Sequence, residues 1–249
     1  MRRFHTIRVM SVVFMSVLFW AGSVHAKGGG EESFRNGNKL LREGKLDQAL
    51  LEFNKVIAAN SRDAKAFNNR GLIYQKQGKL DLAIKDYSKS ITLDSKDSFT
   101  YNNRGFAYVQ SGDLKKARAD FQKSIQINPK LSKAYYNLAG VARKENKTDE
   151  AMADINKAIE LNPQYAAAYQ DRGVTNQLLG KTDAAIADYS KAIELEPKYS
   201  AAYNGRAVVY FLTKQYDKSW EDVRQAQQLG FKVHSDFLAK LKAASGKEQ

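Results

Sequence analysis

Along residues 64–97 the apolar and small side chains fall into two stripes. Phe67, Gly71 and Tyr74 are spaced i, i+4, i+7, and after Gly78 the spacing returns in Ala83, Tyr87 and Ser90. That is the spacing of one helix face, so the segment reads as two helices joined by a turn. The pattern is not confined to this segment. Phe67-Asn68-Asn69-Arg70-Gly71, Tyr101-Asn102-Asn103-Arg104-Gly105, Tyr169-Gln170-Asp171-Arg172-Gly173 and Tyr203-Asn204-Gly205-Arg206-Ala207 stand 34 residues, or a multiple of 34, apart. Tyr135-Tyr136-Asn137-Leu138-Ala139 fills the remaining place. The register gives six units without insertion, 30–63, 64–97, 98–131, 132–165, 166–199 and 200–233, and leaves 234–244 over.

Gly44, Gly78, Gly112 and Gly180 take the turn between the two helices of a unit, with Asn146 in that place in the fourth, as a left-handed backbone requires. Asp47, Asp81, Asp149, Asp183 and Asp217 follow in the first turn of the second helix, where the helix dipole favours an acid. Pro129, Pro163 and Pro197 end their units and keep one helix from running into the next. Counting each unit from 1, position 20 is Ala49, Ala83, Ala117, Ala151, Ala185 and Ser219, and position 24 is Phe53, Tyr87, Phe121, Ile155, Tyr189 and Val223. A small residue and a large apolar one at fixed places point to close helix approach.

On these residues the chain resembles the tetratricopeptide repeat family over 30–233. The resemblance implies an all-α fold, a right-handed α-solenoid of six 34-residue helix-turn-helix repeats. Two places depart from the family pattern: Ser33 stands at the first aromatic position, with Phe34 beside it to substitute, and Asn176 lies inside the fifth unit. Such units bury a core only by stacking, so an end needs a cover. Phe237, Leu238 and Leu241 give residues 234–244 one apolar stripe, which makes them a C-terminal capping helix over the sixth unit, with 245–249 a disordered tail.

Position 7, Leu in the family, is Arg70, Arg104, Arg172 and Arg206 in four units, and position 23 is acidic in all six: Glu52, Asp86, Asp120, Asp154, Asp188 and Asp222. An Arg within a helix pair needs a carboxylate, and its planar fork suits one at two points. The pattern predicts a structural ladder of Arg–Asp pairs, within a unit or to its neighbour: Arg70, Asp86, Arg104, Asp120, Arg172, Asp188, Arg206 and Asp222. The fourth unit has Leu138 instead, so Asp154 needs another partner.

Composition narrows the chemistry. The 249 residues hold no Cys, which excludes disulfides, thiolate metal sites, cysteine nucleophiles and an acylated lipoprotein anchor. Arg2, Arg3 and Arg8, the apolar run Val9–Trp20 and Val24-His25-Ala26 read as a Sec-type signal peptide over 1–26, with 27–30 a flexible lead. Cleavage there would place the protein in the periplasm or outside the cell; retention would make the segment a membrane anchor. Beyond it His234 is the one histidine, so neither a histidine metal site nor a Ser–His–Asp set can be assembled. Gly180-Lys181-Thr182 imitates the end of a phosphate loop, but Thr175 stands where that motif needs its first Gly. The expectation is a protein that is not an enzyme and has no cofactor and no metal.

The chain carries 40 Lys and Arg against 27 Asp and Glu, and the processed form keeps a formal charge of about +10. In the family the concave groove is lined by first helices through positions 2, 5, 6, 9, 12 and 13. Those positions hold Arg35, Asn38, Arg42, Lys65, Asn68, Asn69, Lys76, Asn102, Asn103, Lys133, Asn137, Arg143 and Lys144, with Glu31 and Asp171 as acids. Asn carries one acceptor and two donors, so a row of them can hold a peptide backbone without reading its sequence. The row is similar to the asparagine ladder of O-linked GlcNAc transferase superhelices, though these Asn can equally be solvated groove residues. The carboxylate clamp of cochaperone repeats is not carried over: the first three units offer only Asn38 and Asn69 of its residues.

The expected function is therefore an interaction scaffold or adaptor in the cell envelope. It would hold an extended acidic peptide, or a partner's helix, in a basic, Asn-lined groove, with Tyr136, Phe211 and Phe99 as aromatic anchors. The alternative is an envelope-assembly factor, or a protein gripping an anionic cell-wall glycan, without peptide recognition. Nucleic acid is not an expected partner of an exported protein. Self-association stays open.

Overall fold

The computed structural model describes residues 30–246. The signal peptide read over 1–26, most of the flexible lead and residues 247–249 of the tail lie outside the described residues. Within them the chain forms thirteen helices and no strand. Helix α1 spans 30–42. It is followed by α2 Leu46–Ala59, α3 Ala64–Lys76, α4 Leu80–Leu93, α5 Ser98–Ser111, α6 Leu114–Ile127, α7 Ser132–Lys144, α8 Thr148–Leu161, α9 Ala166–Leu178, α10 Thr182–Leu195, α11 Ser200–Leu212, α12 Tyr216–Gln228 and α13 Ser235–Ser245. The fold is all-α, and adjacent helix pairs pack in the repeating manner of a solenoid. The chain divides into two compact units, the first running to Asp120 and the second from Phe121.

Local chemistry ends each helix where the register expects. Backbone φ is positive at Gly44, Gly78, Gly112 and Gly180, and at Asn146 and Lys214, which fill the same turn in the fourth and sixth repeats. Between repeats, the side chains of Asn60, Asp94, Asn128 and Asn162 each accept from the backbone N–H two residues on, closing the link to the next first helix. Asp63 and Asp97 then cap α3 and α5 by accepting from Ala66 and Phe99.

What sets the helix spacing is a ring resting on a glycine. A Cβ added at Gly71 would lie 2.9 Å from the Tyr87 ring, one at Gly173 would lie 2.9 Å from Tyr189, and one at Gly37 would lie 3.0 Å from Phe53. Where Ala139 and Ala207 take that place, the partner position holds the aliphatic Ile155 or Val223. Ala49, Ala83, Ala185 and Ser219 are fully buried beside these contacts, and Ser219 turns its hydroxyl onto the Ala207 carbonyl at 2.8 Å.

In the second unit the open end is covered by α13. Leu241 is fully buried, and Phe237 and Leu238 pack with it against Ala207, Trp220 and Val223. Ser245, assigned by sequence to the tail, instead ends α13, and its hydroxyl accepts from the Trp220 indole at 3.1 Å. The indole N–H, once buried, needs an acceptor, which holds the last turn in place. Phe211, an expected anchor, meets Phe237 edge to face at 5.6 Å and is half-buried against α13.

Two substitutions should move stability in opposite directions. Gly71→Ala should destabilise by about 1–2 kcal/mol, because its methyl meets the Tyr87 ring and a carbonyl rather than space. Lys214→Gly should stabilise by about 1 kcal/mol, since a Lys there pays for a left-handed backbone that Gly adopts freely. Thermal denaturation of both variants checks this; equal melting temperatures would sink the spacing argument.

Candidate functional site

The ladder positions form one motif four times. Arg70 donates through Nε and Nη2 to the two carboxylate oxygens of Asp86, at 2.7 and 2.9 Å, and Arg104 does the same to Asp120 at 2.7 and 2.8 Å. Arg206 meets Asp222 at 2.8 Å through both nitrogens, and Arg172 meets Asp188 at 2.6–3.0 Å. The remaining Nη1 reaches into the preceding repeat, to Asn54, Ser88, Asn156 and Ser190. Aromatic rings flank the guanidinium: Phe67 and Tyr74 at Arg70, Tyr101 and Tyr108 at Arg104, Tyr203 and Tyr210 at Arg206. At Arg172 one ring is missing, and Asn176, the departure noted in the sequence, donates to Asp188 at 2.8 Å in its place. The motif recurs at four repeats with its carboxylates buried, and so is part of the frame.

The first-helix faces are different. In the first unit Asn69 donates to Asn38 at 2.9 Å, Asn68 donates to Asn69 at 3.1 Å, and Asn103 donates to Asn68 at 3.1 Å. Thr100 adds a bond to Asn68 at 3.2 Å. The amides thus form a chain across α1, α3 and α5, which neither sequence-based alternative foresaw. Asn69 and Asn68 each keep N–H capacity that these bonds do not use. Arg35, Arg42, Lys65 and Lys76 stand exposed on the same helices. Phe99 and Phe106, seven residues apart on α5, expose 58% and 44% of their surface beside Asn103. Asn102 must be taken out of this site: at 2% exposure it is buried within the repeat packing and presents no amide to a ligand.

The second unit carries Lys133, Asn137, Arg143 and Lys144 on α7; Asn137 is half-buried and the three cations are exposed. It also holds a feature the sequence reading overlooked, a group of tyrosines around Asp171. Tyr136 and Tyr165 lie with ring centroids 4.8 Å apart, and Tyr199 donates to Gln170 at 3.4 Å. Burial, and then the negative charge of Asp171, push the phenols of Tyr136, Tyr165, Tyr189 and Tyr199 up from their ordinary value, Tyr165 to about 12. Tyr136 is further held by its hydrogen bond to the Asp171 carboxylate. Arg143 reaches across from α7 to the same carboxylate at 3.1 Å. The signal for this group was the tyrosine that closes two successive repeats, Tyr165 and Tyr199, an inter-repeat position that the groove rule does not cover.

Three matches to a tetratricopeptide repeat model cover residues 64–97, 98–131 and 132–165, and related repeat models match 37–78, 155–187 and 178–214. The chain belongs to the tetratricopeptide repeat family. No curated protein sequence matches it. Among solved structures it is similar to the MamA protein, with 26% identity, a TM-score of 0.57, and coverage of 68% of this chain and 93% of that one. Pseudomonas aeruginosa pilF superposes with a TM-score of 0.76 at 15% identity, over 90% of this chain and all of the other, a likeness of fold. YrrB, described as a tetratricopeptide protein with an unusual peptide-binding site, matches at 23% identity and a TM-score of 0.58, over 78% of this chain and 98% of that one. Among the described residues no helix is long and apolar enough to cross a membrane.

The tyrosine group makes a pH prediction. A phenol whose folded pKa is raised stabilises the fold fully below its unfolded value near 10, and that contribution is lost as pH climbs through the folded value. In a spectrophotometric titration at about pH 11, a fraction of the phenols should therefore resist ionisation and ionise at once in denaturant. Tyr165→Phe should shrink that fraction. Uniform ionisation of every tyrosine near pH 10 would contradict the burial described.

Proposed function

We propose that the protein is a non-enzymatic interaction scaffold that holds an extended, acidic peptide segment of a partner on its first-helix faces. The amide chain from Asn38 through Asn69 and Asn68 to Asn103 carries this reading. A row of amides that bind one another is pre-ordered, so a peptide backbone meets donors and acceptors whose own freedom is already spent. Arg35, Arg42, Lys65 and Lys76 around it favour carboxylates, and the exposed rings of Phe99 and Phe106 offer apolar side chains a place to dock. Membership of a repeat family whose solved relatives include one described as peptide-binding supports the same direction. Export belongs to the proposal as well: the basic start and apolar run of residues 1–26 suit a signal peptide, and an envelope adaptor would be its product.

The test uses two labelled peptides, a repeat of Asp-Gly-Ser and its uncharged Asn-Gly-Ser counterpart, titrated with the protein by fluorescence anisotropy. The acidic peptide should bind about tenfold more tightly, and the Asn69→Ala, Asn103→Ala double variant should lose about tenfold of that affinity. Equal affinity for the two peptides would end the acidic reading. Unchanged binding by the double variant would end the role given to the amides.

A further inference from the structure

The second helices of the first unit carry an exposed face that the amide chain does not use. Counting each repeat from 1, positions 19, 22, 26 and 29 fall i, i+3, i+7 and i+10 along the second helix and make one stripe. On α2 the stripe is Gln48, Leu51, Lys55 and Ala58, on α4 it is Leu82, Lys85, Lys89 and Thr92, and all eight stand exposed. Helix α6 continues it with the exposed Lys116. None of these places holds an acid. In the second unit the same places hold Glu150, Lys157 and Glu160 on α8 and Lys191 and Glu194 on α10, and each Lys donates to the Glu three residues on at 2.6 Å. The repeat can therefore neutralise this stripe, and in the first unit it does not.

Apolar surface stands among these cations. Leu51 exposes 62% of its surface and Leu82 44%, at positions where the other repeats place Lys, Ala, Glu or Gln. Leu40, Leu51 and Ala58 also line an open depression of about 570 Å³, with Lys55 and Glu52 among its walls. Asn36 and Leu40 stand where the second repeat has Arg70 and Tyr74, so the first repeat has no guanidinium and ring beside its acid, Glu52. Lys55 is paired with Glu52 at 2.6 Å and Lys116 with Asp113 at 2.8 Å. The charge that the stripe offers outward is thus concentrated on Lys85 and Lys89, between the two leucines and α6.

We infer that this face rests on an anionic lipid surface, with Lys85 and Lys89 against the headgroups and Leu51 and Leu82 entering the boundary between headgroups and acyl chains. A lysine stem lies along apolar surface while its ammonium reaches for the polar layer, so leucine and lysine on one stripe are satisfied together at such a boundary. An acidic protein would meet the lysines too, but it gives two leucines on separate helices no common apolar layer to enter. A bilayer supplies both layers at once. The face lies on α2, α4 and α6, whereas the amides lie on α1, α3 and α5, so the inference stands apart from the peptide reading.

The chain from residue 27 retains every helix described and lacks the apolar run of residues 9–20, which would bind lipid by itself. Its sedimentation with vesicles of phosphatidylcholine, alone or with about 30% phosphatidylglycerol, decides the matter. At about 0.1 M salt the anionic vesicles should bind it about tenfold more tightly than the neutral ones. Lys85→Gln with Lys89→Gln should lose about tenfold of that affinity, and Leu51→Ser with Leu82→Ser about fivefold. Lys157→Gln with Lys191→Gln makes the same change of net charge on the second unit and should leave binding within about twofold. Equal losses from the two lysine pairs, unchanged binding by the leucine pair, or no preference for anionic vesicles overturns the inference. Anisotropy with the Asp-Gly-Ser peptide keeps the two readings distinct. The α4 double variant should bind that peptide as the unsubstituted chain does, and a parallel loss of peptide would replace the lipid face by a general site for acids.

Discussion

The approach of a ring to a glycine governs much of this structure. Tyr87 on Gly71, Tyr189 on Gly173 and Phe53 on Gly37 bring the two helices of a repeat close enough that no Cβ fits between them. In the same packed pair an Arg on the first helix reaches an Asp on the second with both ends of its fork, as Arg70 does with Asp86, and Arg206 keeps this geometry with Asp222 where Ala207 and Val223 replace glycine and ring. Its third nitrogen then finds Asn54 in the preceding repeat. Packing within a repeat thus fixes the polar link between repeats, and rings such as Phe67 and Tyr74 cover the guanidinium that makes it. Because the inner faces of the helices are committed to this frame, the outward faces of the first helices are free of it.

The fold was legible because repetition averages out local accident. A single i, i+4, i+7 stripe is ambiguous, whereas six in one register are not. The Arg and acidic positions were legible for a related reason, since a charged group placed at the same inward position several times has to be paired each time. Asn176 shows the limit. By position it is a departure, and only its 2.8 Å bond to Asp188 shows it filling in for an absent ring.

The candidate site was less legible, since repeat position fixes the direction of a side chain and not what covers it. Asn68 and Asn102 hold the same position in successive repeats, yet one links the amide chain and the other is buried. Phe211 occupies a position assigned to the groove and is half-buried against α13. The Asn69–Asn38 and Asn103–Asn68 bonds join residues 31 and 35 places apart, at positions that are not equivalent between repeats, so no periodicity could announce them.

Charge shows most clearly how a count differs from a site. In a tally of the first-helix positions Asp171 subtracts from a basic face, and its removal would look favourable to an acidic ligand. In place, its side chain is 13% exposed and lies 3.1 Å from Arg143, so its charge faces a cation of its own chain. An Arg left free on a helix end must give up the rotamer freedom of a long side chain to meet a carboxylate. One already held gives up less, so an acid beside it can raise affinity for another acid. Net charge sets how often an anion meets a basic surface, whereas the pairing of each Arg sets how much freedom it still has to lose on meeting a carboxylate.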